Sequence, residues 1–288
     1  MKKYITILFV FLMLPFIAFS QENGENQEND SIPKKVKEKL ERAAFESSYI
    51  IDNPSNVVLN KKGLEVQMQH RFGEFNNDKN DMAGIWGNSN IRLGLAYGIH
   101  ERVTIGFGTT KNNRYQDFNV KVAILRQTRS EAMPLSVSYY ANWTVDARSK
   151  ENFQYLSDRW SFFNQLILSR RFNSKFSMSG TFSLSHYNVV KNTMRNDMLA
   201  FSLGGRYKIT PNTAVLIDYS QPLTEFMKDN PHPGISLGVE FGTSSHAFQI
   251  FVTNYHGIVS QDNYMYNSND FFDGNIMLGF NITRLYSF

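Results

Sequence analysis

The sequence predicts an all-β fold: a transmembrane, antiparallel, up-and-down β-barrel of about 12 strands behind a short N-terminal helix and tether. Three observations point there. Aromatics reach 14% and charged residues 19% of 288 residues, with a mean hydropathy of −0.36, so the chain is aromatic yet moderately polar. From residue 63 onward apolar and polar side chains alternate with period two, the pattern of a strand with two different faces. The connections alternate between long and short, as in barrels with short periplasmic turns and longer outer loops.

Composition excludes much else. There is no cysteine, which removes disulfides, zinc–thiolate sites and Cys nucleophiles. Past the N-terminus no run approaches the roughly 20 apolar residues of a membrane-spanning helix. The aromatic load argues against disorder. Residues 1–20 read as a secretory signal peptide. Lys2 and Lys3 precede an apolar stretch from Tyr4 to Ile17, and Ala18 and Ser20 are the small residues of a cleavage site before Gln21. Removing them lowers the net charge from +4 to +2, too little to argue for a nucleic-acid partner.

Residues 21–62 form a separate pre-barrel region. Gln21 to Asp30 is a polar lead. Pro33 to Ala44 reads as a short helix, with Lys34–Glu38, Lys37–Glu41 and Glu38–Arg42 spaced i,i+4. Ser47 to Lys62 is irregular, with an Asn53-Pro54 turn; it lies either at the barrel mouth or inside the lumen as a plug.

The barrel occupies 63–288. Strand one interleaves Leu64, Val66, Met68, His70 and Phe72 with Glu65, Gln67, Gln69 and Arg71. The same alternation marks 90–98, 102–108, 118–124, 135–145, 176–185, 199–207, 214–220, 235–241 and 275–282. Two less regular segments, 159–169 and 245–254, complete the count. Long connections at 73–88, 111–116, 146–158, 188–196, 222–233 and 255–273 alternate with short ones, placing both termini in the periplasm. The last strand carries Ile276, Leu278, Phe280, Ile282, Tyr286 and the terminal Phe288 on one face, interrupted by Arg284. Tyr286 and Phe288 form the candidate assembly signal.

Several runs carry a family resemblance: Gln69-His70-Arg71-Phe72-Gly73, Ser89 to Leu95 with Tyr97-Gly98-Ile99, His232 to Glu240, His246 to Asn254, and Gly274 to Ile282. Across Ser48 to Phe288 the chain resembles the outer-membrane β-barrel family known as domain of unknown function 5777. The resemblance implies a barrel in a Gram-negative outer membrane, and transfers no activity and no site residues.

Function is less legible. The face opposite the lipid carries Glu65, Arg71, Arg92, Arg102, Lys121, Arg206, Lys208, Asp218 and Glu240 as lumen-facing candidates. Six are basic and three acidic, giving either a narrow, mildly anion-preferring pore for small solutes or an internal network of ion pairs. A structural or docking barrel is the alternative, and a lipid-acting hydrolase a remoter one. Such a hydrolase needs a Ser–His pair on an outward patch, and His70, His186 and His246 offer no serine at a convincing spacing. Asn267 to Asp273 and Asn76 to Asp81 lack the glycine and terminal glutamate of a calcium loop. Gly106-Phe107-Gly108 lacks the rest of a dinucleotide motif. Trp143, Trp160, Tyr139, Tyr140, Tyr207 and Tyr219 suit interfacial girdles or a sugar-stacking platform. No catalytic residue, metal or cofactor is expected. The expected partners are outer-membrane lipids, the barrel-assembly machinery, a small solute and an unidentified periplasmic contact of the N-terminal segment.

Overall fold

The computed structural model describes residues 38–75 and 81–288. Twelve antiparallel strands close on themselves, each paired with its sequence neighbours and the last with the first. They are β1 Gly63–Glu74, β2 Asn90–His100, β3 Val103–Thr110, β4 Tyr115–Leu125, β5 Ser136–Asp146, β6 Trp160–Arg171, β7 Phe176–Tyr187, β8 Asp197–Lys208, β9 Thr213–Pro222, β10 Gly234–Gly242, β11 His246–Thr253 and β12 Met277–Ser287. Closure leaves no unpaired edge, which is the condition for β structure in hydrocarbon.

The register sorts the side chains. Along β1, Glu65, Gln67, Gln69 and Arg71 are buried inside, while Val66 faces out. Leu93, Leu95, Ile105, Phe107, Ile217 and Ile250 are exposed on the outer face. A polar interior within an apolar exterior inverts the soluble arrangement and suits a lipid surround. Outer aromatics chain together: Phe107–Phe118 at 5.1 Å, Phe118–Trp143 at 5.3 Å and Trp143–Trp160 at 6.4 Å. Tyr140 departs from the expected girdle. It is buried in the lumen against Phe163.

The start of β1 and the end of β12 pair at Gly63 and Ser287, so both lie at one end, called here the near end. Beyond the last strand residue Phe288 is exposed, and the Arg284 guanidinium lies 4.8 Å from the Tyr286 ring. The long connections gather at the far end. The longest contains one short helix, α1 Ser260–Tyr266, in a stretch that the sequence reads as plain loop. Its seven residues are too few to be stable alone. Gln261, Tyr264 and Met265 are buried inside the barrel, and that packing holds the turn.

The expected helix Pro33–Ala44 fares differently. Its first part lies outside the described residues. Residues 38–44 are not helical: Leu40 bridges Thr128 and Glu41 N–H donates to the Gln127 carbonyl at 2.8 Å. Backbone pairing with the β4–β5 turn outweighs a Glu38–Arg42 pair at i,i+4, which would contribute only about 0.2–0.5 kcal/mol.

Candidate functional site

The lumen is filled from both ends. From the near end, residues 45–59 enter, turn at 50–53 and return to begin β1. Ser55 N–H donates to the Ser48 carbonyl at 2.9 Å and Ile50 N–H to the Asn53 carbonyl at 2.9 Å, which makes a tight hairpin. Asn53-Pro54 supplies the turn chemistry that the sequence announced. Of the two placements open to Ser47–Lys62, the interior is the one found.

Wall side chains grip this hairpin through its backbone. Asp218 Oδ2 accepts the amides of Ile51, Asp52 and Asn53 at 3.3, 3.0 and 2.9 Å, and its Oδ1 accepts Asn53 Nδ2 at 2.8 Å. Successive amides converging on one carboxylate form an anion nest. Lys121 Nζ donates to the Ser48 carbonyl at 3.0 Å, Gln249 Nε2 to the Tyr49 carbonyl at 3.1 Å, and Asn281 Nδ2 to the Ile51 carbonyl at 2.8 Å. The Ser48 hydroxyl donates to Glu65. At the tip, Asp52 pairs with Arg71 at 2.8 Å, both side chains buried, and accepts from the hydroxyls of Ser236 and Thr253. Ile51 packs with Leu216 and Phe251. Gly204 leaves room for Ile50: a Cβ there would stand 2.3 Å from its Cδ1.

The far end closes with α1. Gln261 Nε2 donates to Asn142 Oδ1 at 3.1 Å and Thr144 Oγ1 at 2.9 Å. Tyr264 stacks on Phe163 at 5.7 Å. The two plugs meet where the Tyr264 hydroxyl donates to Asn53 Oδ1 at 2.7 Å.

The lumen-facing candidates divide accordingly. Glu65, Arg71, Lys121 and Asp218 touch the hairpin. Arg206 bonds Glu240 at 2.8 Å and reaches Glu46 at 3.3 Å, and Lys208 reaches Glu46 at 3.3 Å. Arg92 belongs to the wall alone, held by both oxygens of Asp117 at 2.7 Å. Arg102 is a correction. It sits in the exposed β2–β3 turn, one residue before the strand begins, and donates to the Ile124 carbonyl at 3.0 Å. The expected basic excess also disappears. Asp52, Asp117 and Glu46 supply the missing partners, so the plugged lumen carries no basic excess. Asp117 alternates in register with Asn119 and Lys121, a signal that the sequence did offer.

Outside the plugs lies a far-end cup of about 1340 Å³. Asp146 and Arg148 pair in it at 2.6 Å, with Asp262, Asn263 and Tyr115 nearby in its lining. Burial pushes the Asp262 carboxyl up to about 6, and the nearby Asp146 adds to this; the Tyr115 hydroxyl and Arg148 oppose it. His186 on the outer surface bonds Asp197 at 2.7 Å and Asn188 at 3.1 Å, and both ring nitrogens are thereby occupied. Ser245 and His246 touch at 3.0 Å, but as chain neighbours in a turn. Asn267 and Asn269 bind neighbouring loop carbonyls, and among the described residues no cluster of His, Asp and Glu could hold a metal.

The family model for a membrane bound beta barrel domain (DUF5777) matches residues 45–286. That span includes the hairpin as well as the wall. No curated protein matches. Among solved structures, a KdgM porin aligns at 6% identity and a TM-score of 0.46 over 78% of this chain and 99% of its own. An outer membrane channel from Pseudomonas putida F1 aligns at 11% and 0.46 over 80% of this chain and 97% of its own. The OmpT outer-membrane protein of Vibrio cholerae aligns at 11% and 0.40, covering 80% of this chain and all (100%) of that one. These likenesses are of barrel architecture.

Proposed function

We propose that this chain, which belongs to the membrane bound beta barrel domain family DUF5777, is an outer-membrane channel for small polar solutes that its own hairpin 45–59 and helix α1 hold shut from the two ends. One observation carries the reading: the lumen is closed by two inserted chain segments, the hairpin from the near end and α1 from the far end, the latter packed on the wall residues Tyr140, Phe163, Ile167 and Met198. The wall offers hydroxyls, amides and paired charges, and the hairpin engages them through its own polar groups. With the hairpin and α1 withdrawn, the same groups would line a hydrated passage. The near end faces the periplasm, where the export signal at 1–20 delivers the chain, so residues 21–44 are the handle by which a periplasmic event reaches the plug.

Planar-bilayer recording tests this. The full-length chain should show small, infrequent conductance, and deletion of residues 21–60 combined with Gln261→Ala and Tyr264→Ala, which free α1 from the wall, should raise it clearly. If neither form conducts while both run as folded, heat-modifiable barrels, the channel reading fails and a docking barrel takes its place.

A second expectation concerns assembly. Tyr286 and Phe288 are exposed at the near end of β12, and deleting Phe288 should lower the folded protein in outer-membrane fractions without changing export. Unchanged folded protein would remove the terminal aromatic from the signal.

A further inference from the structure

We infer that the patch of wall beneath α1 is a binding site for a neutral saccharide, a short chain of pyranose rings. This rests on the channel reading and deepens it by naming the class of solute. The lumen wall is divided by charge. Among the described residues, the buried charged side chains of the wall lie on β1, β2, β4 and β8 to β10, apart from Asp146 at the far rim of β5. Between the rims, the inward faces of β5, β6 and β7 hold hydroxyls, amides and rings and no charge. The hairpin sets its charged Asp52 against the first side, on Arg71, while α1 packs on β6 to β9.

Phe163 on β6 is the centre of the uncharged side. Its ring is fully buried, and the Tyr264 ring lies nearly parallel over it, 5.7 Å between centroids and 14° between planes. Tyr140 meets the same ring edge-on at 6.2 Å. Around this stack, Asn142 Oδ1, Thr144 Oγ1 and Ser161 Oγ accept from Gln261 Nε2 at 3.1, 2.9 and 3.3 Å. The Tyr264 hydroxyl donates to Ser220 Oγ at 3.3 Å. The wall therefore offers an apolar platform with a polar surround, the build of a small-molecule site.

The second observation is what α1 leaves unmet. Ser185 on β7 is the register partner of Phe163, and Gln165 is the next inward residue along β6. Both are 1% exposed, and neither Ser185 Oγ nor Gln165 Oε1 has a hydrogen-bond partner among the described residues. Gln261 Oε1, buried on α1 itself, is in the same state. Buried polar atoms without partners are costly, so two of them beside one exposed-by-release ring mark a place where further donors and acceptors arrive.

A pyranose ring has C–H faces that lie on an aromatic ring and hydroxyls around its edge. Each hydroxyl both donates and accepts, so one ring can serve Ser185, Gln165 and the groups now bonded to Gln261. An anion or an ammonium would lose its water there and find no opposite charge on β5 to β7. A nucleobase would stack on Phe163 but brings fewer edge groups than the wall offers.

Calorimetric titration of maltotriose into the folded full-length barrel carrying Gln261→Ala and Tyr264→Ala tests the site, in a polyoxyethylene detergent that has no sugar of its own. Binding is expected, with citrate and spermidine showing none, and the parent protein should bind at least about tenfold more weakly because α1 covers the platform. Phe163→Ala in the same background should weaken maltotriose about tenfold, and Phe163→Trp, which keeps a ring face, should retain it. Ser185→Ala removes a hydroxyl that the folded chain leaves unbonded; it should weaken binding about fivefold, one neutral hydrogen bond, and it serves if Phe163→Ala does not fold. No maltotriose binding after release of α1, equal binding by the parent, binding of citrate or spermidine, tighter binding of adenosine, or affinity indifferent to both Phe163→Ala and Ser185→Ala overturns the inference. Binding is read without conductance, so the site can fail while the channel stands, and the channel can fail while the site stands.

Discussion

Asp52→Ala should release the hairpin from the lumen. Asp52 is where the hairpin's charge meets the wall, through Arg71 at 2.8 Å and the hydroxyls of Ser236 and Thr253. Removing the carboxylate leaves the Arg71 guanidinium buried and unpaired, a loss of about 3–5 kcal/mol when one partner of a buried pair is deleted. Only the inserted state bears that loss, since a withdrawn hairpin leaves Arg71 in water. About 3 kcal/mol shifts the balance between inserted and withdrawn forms by on the order of 10²-fold. With Gln261→Ala and Tyr264→Ala also present, bilayer recordings should then resemble those of the hairpin deletion made in the same background, while the folded band on unheated gels persists. Asp52→Ala with Arg71→Ala should restore much of the closure, because the stranded charge is gone. Parent-like conductance from Asp52→Ala, beside a conducting deletion, would assign the closure to Asp218 and the backbone bonds instead.

Arg92→Ala should act on the wall rather than the plug. Arg92 on β2 binds both oxygens of Asp117 on β4 at 2.7 Å and the amide oxygens of Gln67 and Gln69 on β1 at 3.1 and 3.0 Å. It therefore clamps neighbouring strands across the seam that β3 separates. Its loss leaves Asp117 with only Asn142 and Asn119, again on the scale of about 3–5 kcal/mol. The folded band should disappear at clearly lower temperature, without a rise in conductance below that point. Gly108 gives an independent check. A Cβ there would lie 2.2 Å from Arg92 Nη2, so Gly108→Ala should destabilise by displacing the guanidinium. In the Arg92→Ala background the same change should cost little, a coupling that a double-mutant cycle reads directly. Melting at the parent temperature by Arg92→Ala would show that the pair contributes nothing net.

Reading the sequence captured what period two controls. A strand's faces alternate, so Glu65, Arg71 and Asp218 were assignable to the interior and Leu93 and Ile217 to the exterior without coordinates. Strand count, closure and the ends that carry long loops follow from the same local signal. Arg102 escaped because a turn residue has no face to inherit.

What fills the barrel was decided only in three dimensions. The alternation says that Met198, Ala200 and Leu216 point inward, and their apolar character there hints that something packs on them. It does not say what. Ser260–Tyr266 has no helical strength of its own and becomes helical because Tyr264 finds Phe163. Asp52, the partner of Arg71, and Glu46, which Arg206 reaches besides Glu240 on the wall, lie in the hairpin and its approach, 19 and 160 residues away in sequence. No periodicity links them, so the charge balance that turns an apparently basic lumen into a neutral, plugged one exists only once the chain has folded back through its own barrel.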